Sequence, residues 1–178
     1  MSKQTKQLGG IGLILALVAS VFGVFIPFAG IVALIGWILT VVAYVKASDE
    51  YSEPAIKSNA IKAVVLGIVA VVLFALASGS IVASLAAGFG GYEDVGLGLG
   101  GAGIAMLLVG WVLTLIASWF WYRANVSMAE KSSVGLFKTG GLLMFVGAIL
   151  SVILIGGFLS LIGQILLIVA FFSTPESS

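Results

Sequence analysis

From Ala63 to Tyr92, and again from Val95 to Tyr122, the chain carries no Asp, Glu, Lys or Arg. An uncharged apolar run longer than about 18 residues is long enough to cross a bilayer as a helix. A water-soluble fold would have to hide such runs beneath polar surface. Hydrophobic residues make up 61% of this chain and charged residues 8%, against roughly 45–50% and about 25% in soluble domains, so that surface is missing. In lipid each backbone amide must be paired within its own segment, which leaves helices or closed barrels. Runs of this length predict helices, and the expected class is an all-α integral membrane protein.

Six transmembrane helices are predicted, at about 8–26, 29–46, 60–86, 99–121, 139–156 and 158–173. The first is read as a retained helix, because its apolar stretch exceeds the roughly 7–15 residues of a signal peptide's core. Pro27 and Gly156-Gly157 are the expected turns, proline because it lacks an amide donor and glycine because it tolerates unusual backbone angles. Thr139 to Phe172 is generous for one helix and short for two. One long helix, a re-entrant pair and two full spans all remain open there.

LIGWILTVVA at 34–43 returns as LVGWVLTLIA at 108–117, and Lys57-Ser58 returns as Lys131-Ser132 with the same offset. LIGQILLIVAF at 161–171 is a weaker third copy. Duplication of a helical hairpin accounts for the pattern, giving units of about 1–56, 57–130 and 131–173 and a tail at 174–178 within one membrane domain. Two spans per unit make every unit enter from the same side, so these are parallel repeats. All eight Lys and Arg residues fall in the N-terminal tail, near 47–59 or near 123–138, while Glu93 and Asp94 lie on the other side. By the positive-inside rule both termini face the cytoplasm, with Tyr44, Trp119, Trp121 and Tyr122 at the lipid–water interface.

The chemistry on offer is sparse. Cysteine and histidine are absent, which removes thiol nucleophiles, imidazole bases and the commonest zinc ligands. No metal site, cofactor or catalytic residue is predicted, and the net charge of +1 argues against nucleic acid. Gly96, Gly98, Gly100, Gly101 and Gly103 contain the G-x-G-x-x-G spacing without the strand and acidic residue a dinucleotide loop needs. They are expected to form an external loop entering the fourth span, with Gly96 and Gly100 allowing close helix contact. Glu93-Asp94 is expected to be a solvated pair, since calcium usually takes six to eight oxygens. Asp49, Glu50 and Glu53 read as weakly paired surface charges among Lys46, Lys57 and Lys62.

Within the spans, Thr40, Thr114 and Gln164 come from corresponding regions of the three copies. They are candidates either for hydrogen bonds between helices or for the lining of a pore. Gly36, Trp37, Gly110, Trp111 and Gly163 are the expected helix-packing positions, glycine making room for a bulky neighbour.

Lys6-Gln-Leu-Gly9-Gly10-Ile-Gly12, Pro27-Phe-Ala-Gly30 and Leu34-Ile-Gly36-x-Ile-Leu-x-x-x-Ala43 resemble the start of a family of small archaeal and bacterial multi-span membrane proteins, domain of unknown function 996. The resemblance implies a prokaryotic cytoplasmic-membrane protein and carries over no catalytic residues. With small loops and no catalytic groups, the chain is expected to be a non-enzymatic accessory or scaffold subunit contacting lipid and other membrane proteins or itself. The alternative is a passive channel or small-solute facilitator.

Overall fold

The computed structural model describes residues 1–23, 28–153 and 155–176, the side chains of Glu93 and Val152 excepted. Among them are six α-helices and no strand: α1 (Lys3–Phe22), α2 (Ala29–Glu50), α3 (Pro54–Phe89), α4 (Glu93–Ser132), α5 (Leu136–Ile149) and α6 (Ile155–Ser173), with a 3₁₀ turn at Leu150–Val152. All but α5 are long and apolar enough to cross a membrane. The 14 residues of α5 measure about 21 Å, short of the roughly 30 Å hydrocarbon core.

Local chemistry explains the boundaries. The Ser2 hydroxyl accepts from the Thr5 amide at 3.3 Å, capping α1. Pro54 opens α3, where its missing N–H is no loss. The α2–α3 turn is closed by the Ser48 hydroxyl donating to the Glu53 carbonyl at 2.9 Å and by the Glu53 amide donating to the Ser48 carbonyl at 3.0 Å. Between α3 and α4 the chain reverses through Gly91, whose φ of 81° suits a residue without a Cβ.

Two compact units result: residues 1–63 with 118–178, and residues 64–117. In the first, α1 packs on α2, α5 on α6, and α1 on α6, and the lysine-bearing ends of α3 and α4 join the same core. A file of rings runs through that core. Phe137 and Phe171 meet edge to face at 5.0 Å, Phe171 and Tyr44 likewise at 5.7 Å, Tyr44 and Trp121 are tilted at 4.7 Å, and Trp121 and Trp37 meet edge to face at 5.4 Å. The second unit is the antiparallel pairing of α3 with α4, in which the Ser84 hydroxyl donates to the Gly96 carbonyl and Ser80 to that of Leu99, both at 2.6 Å.

Several expectations require correction. Gly96 to Gly103 are not a loop: α4 begins at Glu93 and includes them all. A loop would leave backbone groups unpaired in an apolar setting, whereas a helix pairs them and turns the missing side chains to use. A Cβ on Gly100 would sit 2.9 Å from Ser84 Oγ, and one on Gly103 2.8 Å from Ile81. The segments 47–59 and 123–138 are mostly helix as well, because Ala47, Ile56, Ala60, Ala124 and Met128 bury one face in the core. Gly156 and Gly157 lie inside α6, and the reversal comes earlier, at the 3₁₀ turn. Residues 139–172 are therefore neither one long helix nor a single span. Tyr44 and Trp121 are buried rather than interfacial, while Trp119 is exposed and leans on Phe145 at 5.4 Å. Pro27 lies outside the described residues.

The glycines divide by what faces them. On Gly36 a Cβ would stand 2.7 Å from the Ala16 amide nitrogen, and on Gly12 it would stand 2.7 Å from the Gly36 carbonyl oxygen. Nothing lies within 4 Å of a Cβ on Gly67. Gly36→Ala is expected to cost about 1–3 kcal/mol by overpacking, while Gly67→Ala stabilises by about 0.5–1 kcal/mol through helix propensity. Equilibrium unfolding in mixed micelles measures both.

Candidate functional site

Polar groups meet at three places in the first unit. The most enclosed is built on Asn125, fully buried on α4. Its Oδ1 accepts from the Tyr44 hydroxyl of α2 at 2.6 Å, and its Nδ2 donates to the Trp121 carbonyl one turn back at 2.8 Å. Gly141 of α5 lets the helices close over it, since a Cβ there would fall 2.7 Å from that of Asn125. Trp121 itself is 4% exposed, and its indole N–H is buried without a partner among the described residues. This node joins α2, α4 and α5 through one amide side chain. Sequence reasoning passed over Asn125, though an amide four residues after a tryptophan and three before a buried methionine marks a helix face turned inward.

The second place is the flank of α1. Thr40 is fully buried, its hydroxyl donating to the Gly36 carbonyl of its own helix at 2.9 Å; a Cβ on Gly12 would lie 2.6 Å from Thr40 Oγ1. Gln164 of α6 reaches the Leu13 carbonyl at 3.0 Å through Nε2. Thr40 and Gln164 thus meet α1 at successive residues, 12 and 13, from two different helices. Thr114 lies in the other unit, donating to the Gly110 carbonyl of its own helix at 2.9 Å.

The packing positions behave alike. Gly163 faces Gly140, whose carbonyl oxygen a Cβ would approach to 2.7 Å, and Gly110 faces the Phe74 ring at 3.1 Å. Gly36 and Gly163, which the repeat aligns, therefore each seat a glycine of the preceding helix. Trp37 lies edge-on to Trp121, and Trp111 is half-buried in the second unit.

The third place is a clasp at the lysine-bearing end. Glu50 accepts from the Ser2 amide at Oε2, and from the Ser2 and Thr5 hydroxyls at Oε1, each at 2.6 Å. Burial pushes its carboxyl pKa up, but those hydrogen bonds and the N-terminal ammonium outweigh burial and hold it below the ordinary value. The Met1 ammonium donates to the Pro175 carbonyl at 3.3 Å, and Lys6 pairs with Glu176 at 3.5 Å. Glu53 pairs across to Lys131 at 3.2 Å rather than with the lysines of α3, and Lys62 stands 5.4 Å over the Phe120 ring. Asp94 is exposed, and among the described residues no three His, Cys, Asp or Glu side chains group as metal ligands do.

Six α-helices, five of them of membrane-crossing length and apolarity, are the build of a multi-span helical membrane protein. Within that class the chain belongs to the family described as protein of unknown function DUF996, whose profile matches residues 32–165. It is similar, at 31% identity over 178 residues covering 98% of this chain and 93% of the relative, to an uncharacterised protein of the archaeon Methanocaldococcus jannaschii. No solved structure matches.

Asn125→Leu leaves the Tyr44 hydroxyl buried and unpaired, which costs about 1–3 kcal/mol. Tyr44→Phe in that background is then expected to cost less than it does alone, with a coupling of about 0.5 kcal/mol or more in a double-mutant cycle of unfolding free energies. The clasp predicts a pH effect of fixed sign. A depressed carboxyl contributes stability that is fully present above the ordinary value near 4.5 and lost as pH falls through the depressed folded value. Protection of the amides at residues 3–6, taken relative to their intrinsic exchange rates at each pH, should fall over that acid range, and Glu50→Gln should abolish the dependence.

Proposed function

We propose that the chain is a non-enzymatic accessory or scaffold subunit of a prokaryotic cytoplasmic membrane. Its helices hold lipid and other membrane proteins on their outer faces, and both termini lie in the cytoplasm. Its three hairpins are read as copies of one unit. The observation that carries the proposal is where the polar side chains of the apolar segments spend their hydrogen bonds. Thr40, Thr114, Ser20 and Ser78 all donate to the carbonyl four residues back on their own helix, and Gln164 is spent on α1. The hydroxyl donors are thus spent within their own helices, Gln164 fastens α6 to α1, and none of these five side chains holds its donor ready for a passing solute. Outward-facing Ile68, Val71, Val82 and Leu108 are at the same time more than half exposed, an apolar surface that water does not tolerate and that lipid or a neighbouring helix covers. The passive-channel alternative needs polar groups free along one passage, and the engaged hydroxyls support it less.

The test is purification from native membranes in mild detergent followed by mass spectrometry. At least one other membrane protein is expected in fixed proportion, and recovery as a lone monomer overturns the reading. The chain lacks cysteine, so single cysteines report its orientation. Lys57→Cys and Lys131→Cys should both be shielded from an impermeant thiol reagent in intact cells, and Tyr92→Cys should be labelled.

A further inference from the structure

We propose that a cleft between α1 and α2 binds one anionic phospholipid of the leaflet at the lysine-bearing side, its phosphate at Lys46 and its acyl chain on Ile11 and Leu39. The proposal rests on the membrane placement above and adds a partner and a site to it.

The cleft is an open groove of about 180 Å³, lined by Gln4, Gln7, Leu8 and Ile11 of α1 with Leu39 of α2. Its walls are graded, amides toward the start of α1 and aliphatic side chains one to two turns further in. That is the order in which a lipid presents headgroup and chain. The cation at the amide end is fixed in place: Lys46, two turns beyond Leu39 on the same face of α2, donates from Nζ to Gln4 Oε1 at 2.7 Å. An ammonium carries three donors, so two remain for a phosphate. Lys46 makes no ion pair among the described residues, whereas Lys6 is committed to Glu176. Lys3 is exposed one residue from Gln4. The first turn of α1 adds the positive end of its dipole, and the Glu50 carboxylate, though it keeps its charge, is turned to the Ser2 and Thr5 hydroxyls.

A free phosphate would make no use of Leu8, Ile11 and Leu39. The apolar face of a partner's helix would make no use of Lys46. An acyl chain under a phosphodiester uses both ends of the cleft.

The full-length protein, purified in mild detergent, is equilibrated with mixed micelles holding equal phosphatidylglycerol and phosphatidylcholine. It is then washed, and retained lipids are counted by native mass spectrometry. Wild type is expected to keep phosphatidylglycerol over phosphatidylcholine by about fivefold, the factor one lysine supplies at an anionic surface, and to lose the preference in high salt. Lys46→Gln should remove the preference. Leu39→Trp, which fills the apolar end, should lower retention of both lipids. Lys138→Gln, on another hairpin, should change neither.

Equal retention of the two lipids by wild type overturns the proposal, as does a preference that survives Lys46→Gln or falls equally in Lys138→Gln. Displacement by millimolar inorganic phosphate would assign the site to a free anion, and cross-linking of Gln7→Cys between two chains would assign the cleft to a second copy; both overturn it. Circular dichroism checks each variant's helices, and should Leu39→Trp fail to fold, the two lysine variants decide. A monomer recovered alone with its lipid preference would sink the scaffold reading and leave this one standing. A co-purified partner beside equal lipid retention would do the reverse.

Discussion

Two backbone contacts set the geometry of the first unit: Gly12 against Gly36, and Gly140 against Gly163. In an apolar environment helices gain little from burying hydrophobic surface, and association rests on van der Waals contact and a few hydrogen bonds. Both grow only when backbones come close, and a glycine at the crossing permits that. Each pair brings one helix's carbonyl to within side-chain distance of the other's backbone. Once α1 lies on α2 at Gly12, Leu13 is carried to α6 and its carbonyl becomes available to Gln164.

The polar and aromatic node is the complement of those contacts. Glycine crossings join helices that are neighbours in sequence, α1 to α2 and α5 to α6. Asn125 and the ring file join elements far apart in sequence, 81 residues separating Tyr44 from its amide partner. A directional bond with one acceptor fixes how far α2 can rotate about its axis, which ring packing alone does not. Tyr44 and Phe171, aligned by the repeat, touch each other there. The clasp at Glu50 finishes the same end by tying the first turn of α1 to the last turn of α2.

Much of the scaffold was legible in the sequence. The uncharged runs named the helices, and the recurrent Leu-x-Gly register marked Gly36, Gly110 and Gly163 as positions with close neighbours. What escaped had physical reasons. Gly96 to Gly103 imitate a loop because glycine frequency signals backbone freedom in water, whereas here the same residues supply close approach inside a helix. Tyr44 and Trp121 sit at interfacial height in the sequence, and height does not tell whether a ring faces lipid or the core. The partners of Glu50 are 45 and 48 residues away in Thr5 and Ser2, a pairing that no spacing rule announces. Thr40 and Thr114 were legible as a matched pair, and each does the same thing, bonding back to the glycine four residues before it.

Helix length adds a last constraint. Residues 29–46 of α2, from its first turn to Lys46, measure about 27 Å, close to the roughly 30 Å hydrocarbon core; residues 63–89 of α3, beyond Lys62, measure about 40 Å. A bilayer that fits the first leaves the second too long. A helix with such an excess tilts or carries its end past the hydrocarbon. The composition of that end suits either outcome, because beyond Ala77 the contact between α3 and α4 includes Ser80, Ser84, Gly96, Gly100 and Gly103 beside Ile81. Small residues of this kind let the two helices stay closed on one another, and their hydroxyls are spent within the pair. The hairpin thus keeps the hydroxyls of Ser78, Ser80 and Ser84 bonded within itself, whichever depth of the membrane surrounds its tip.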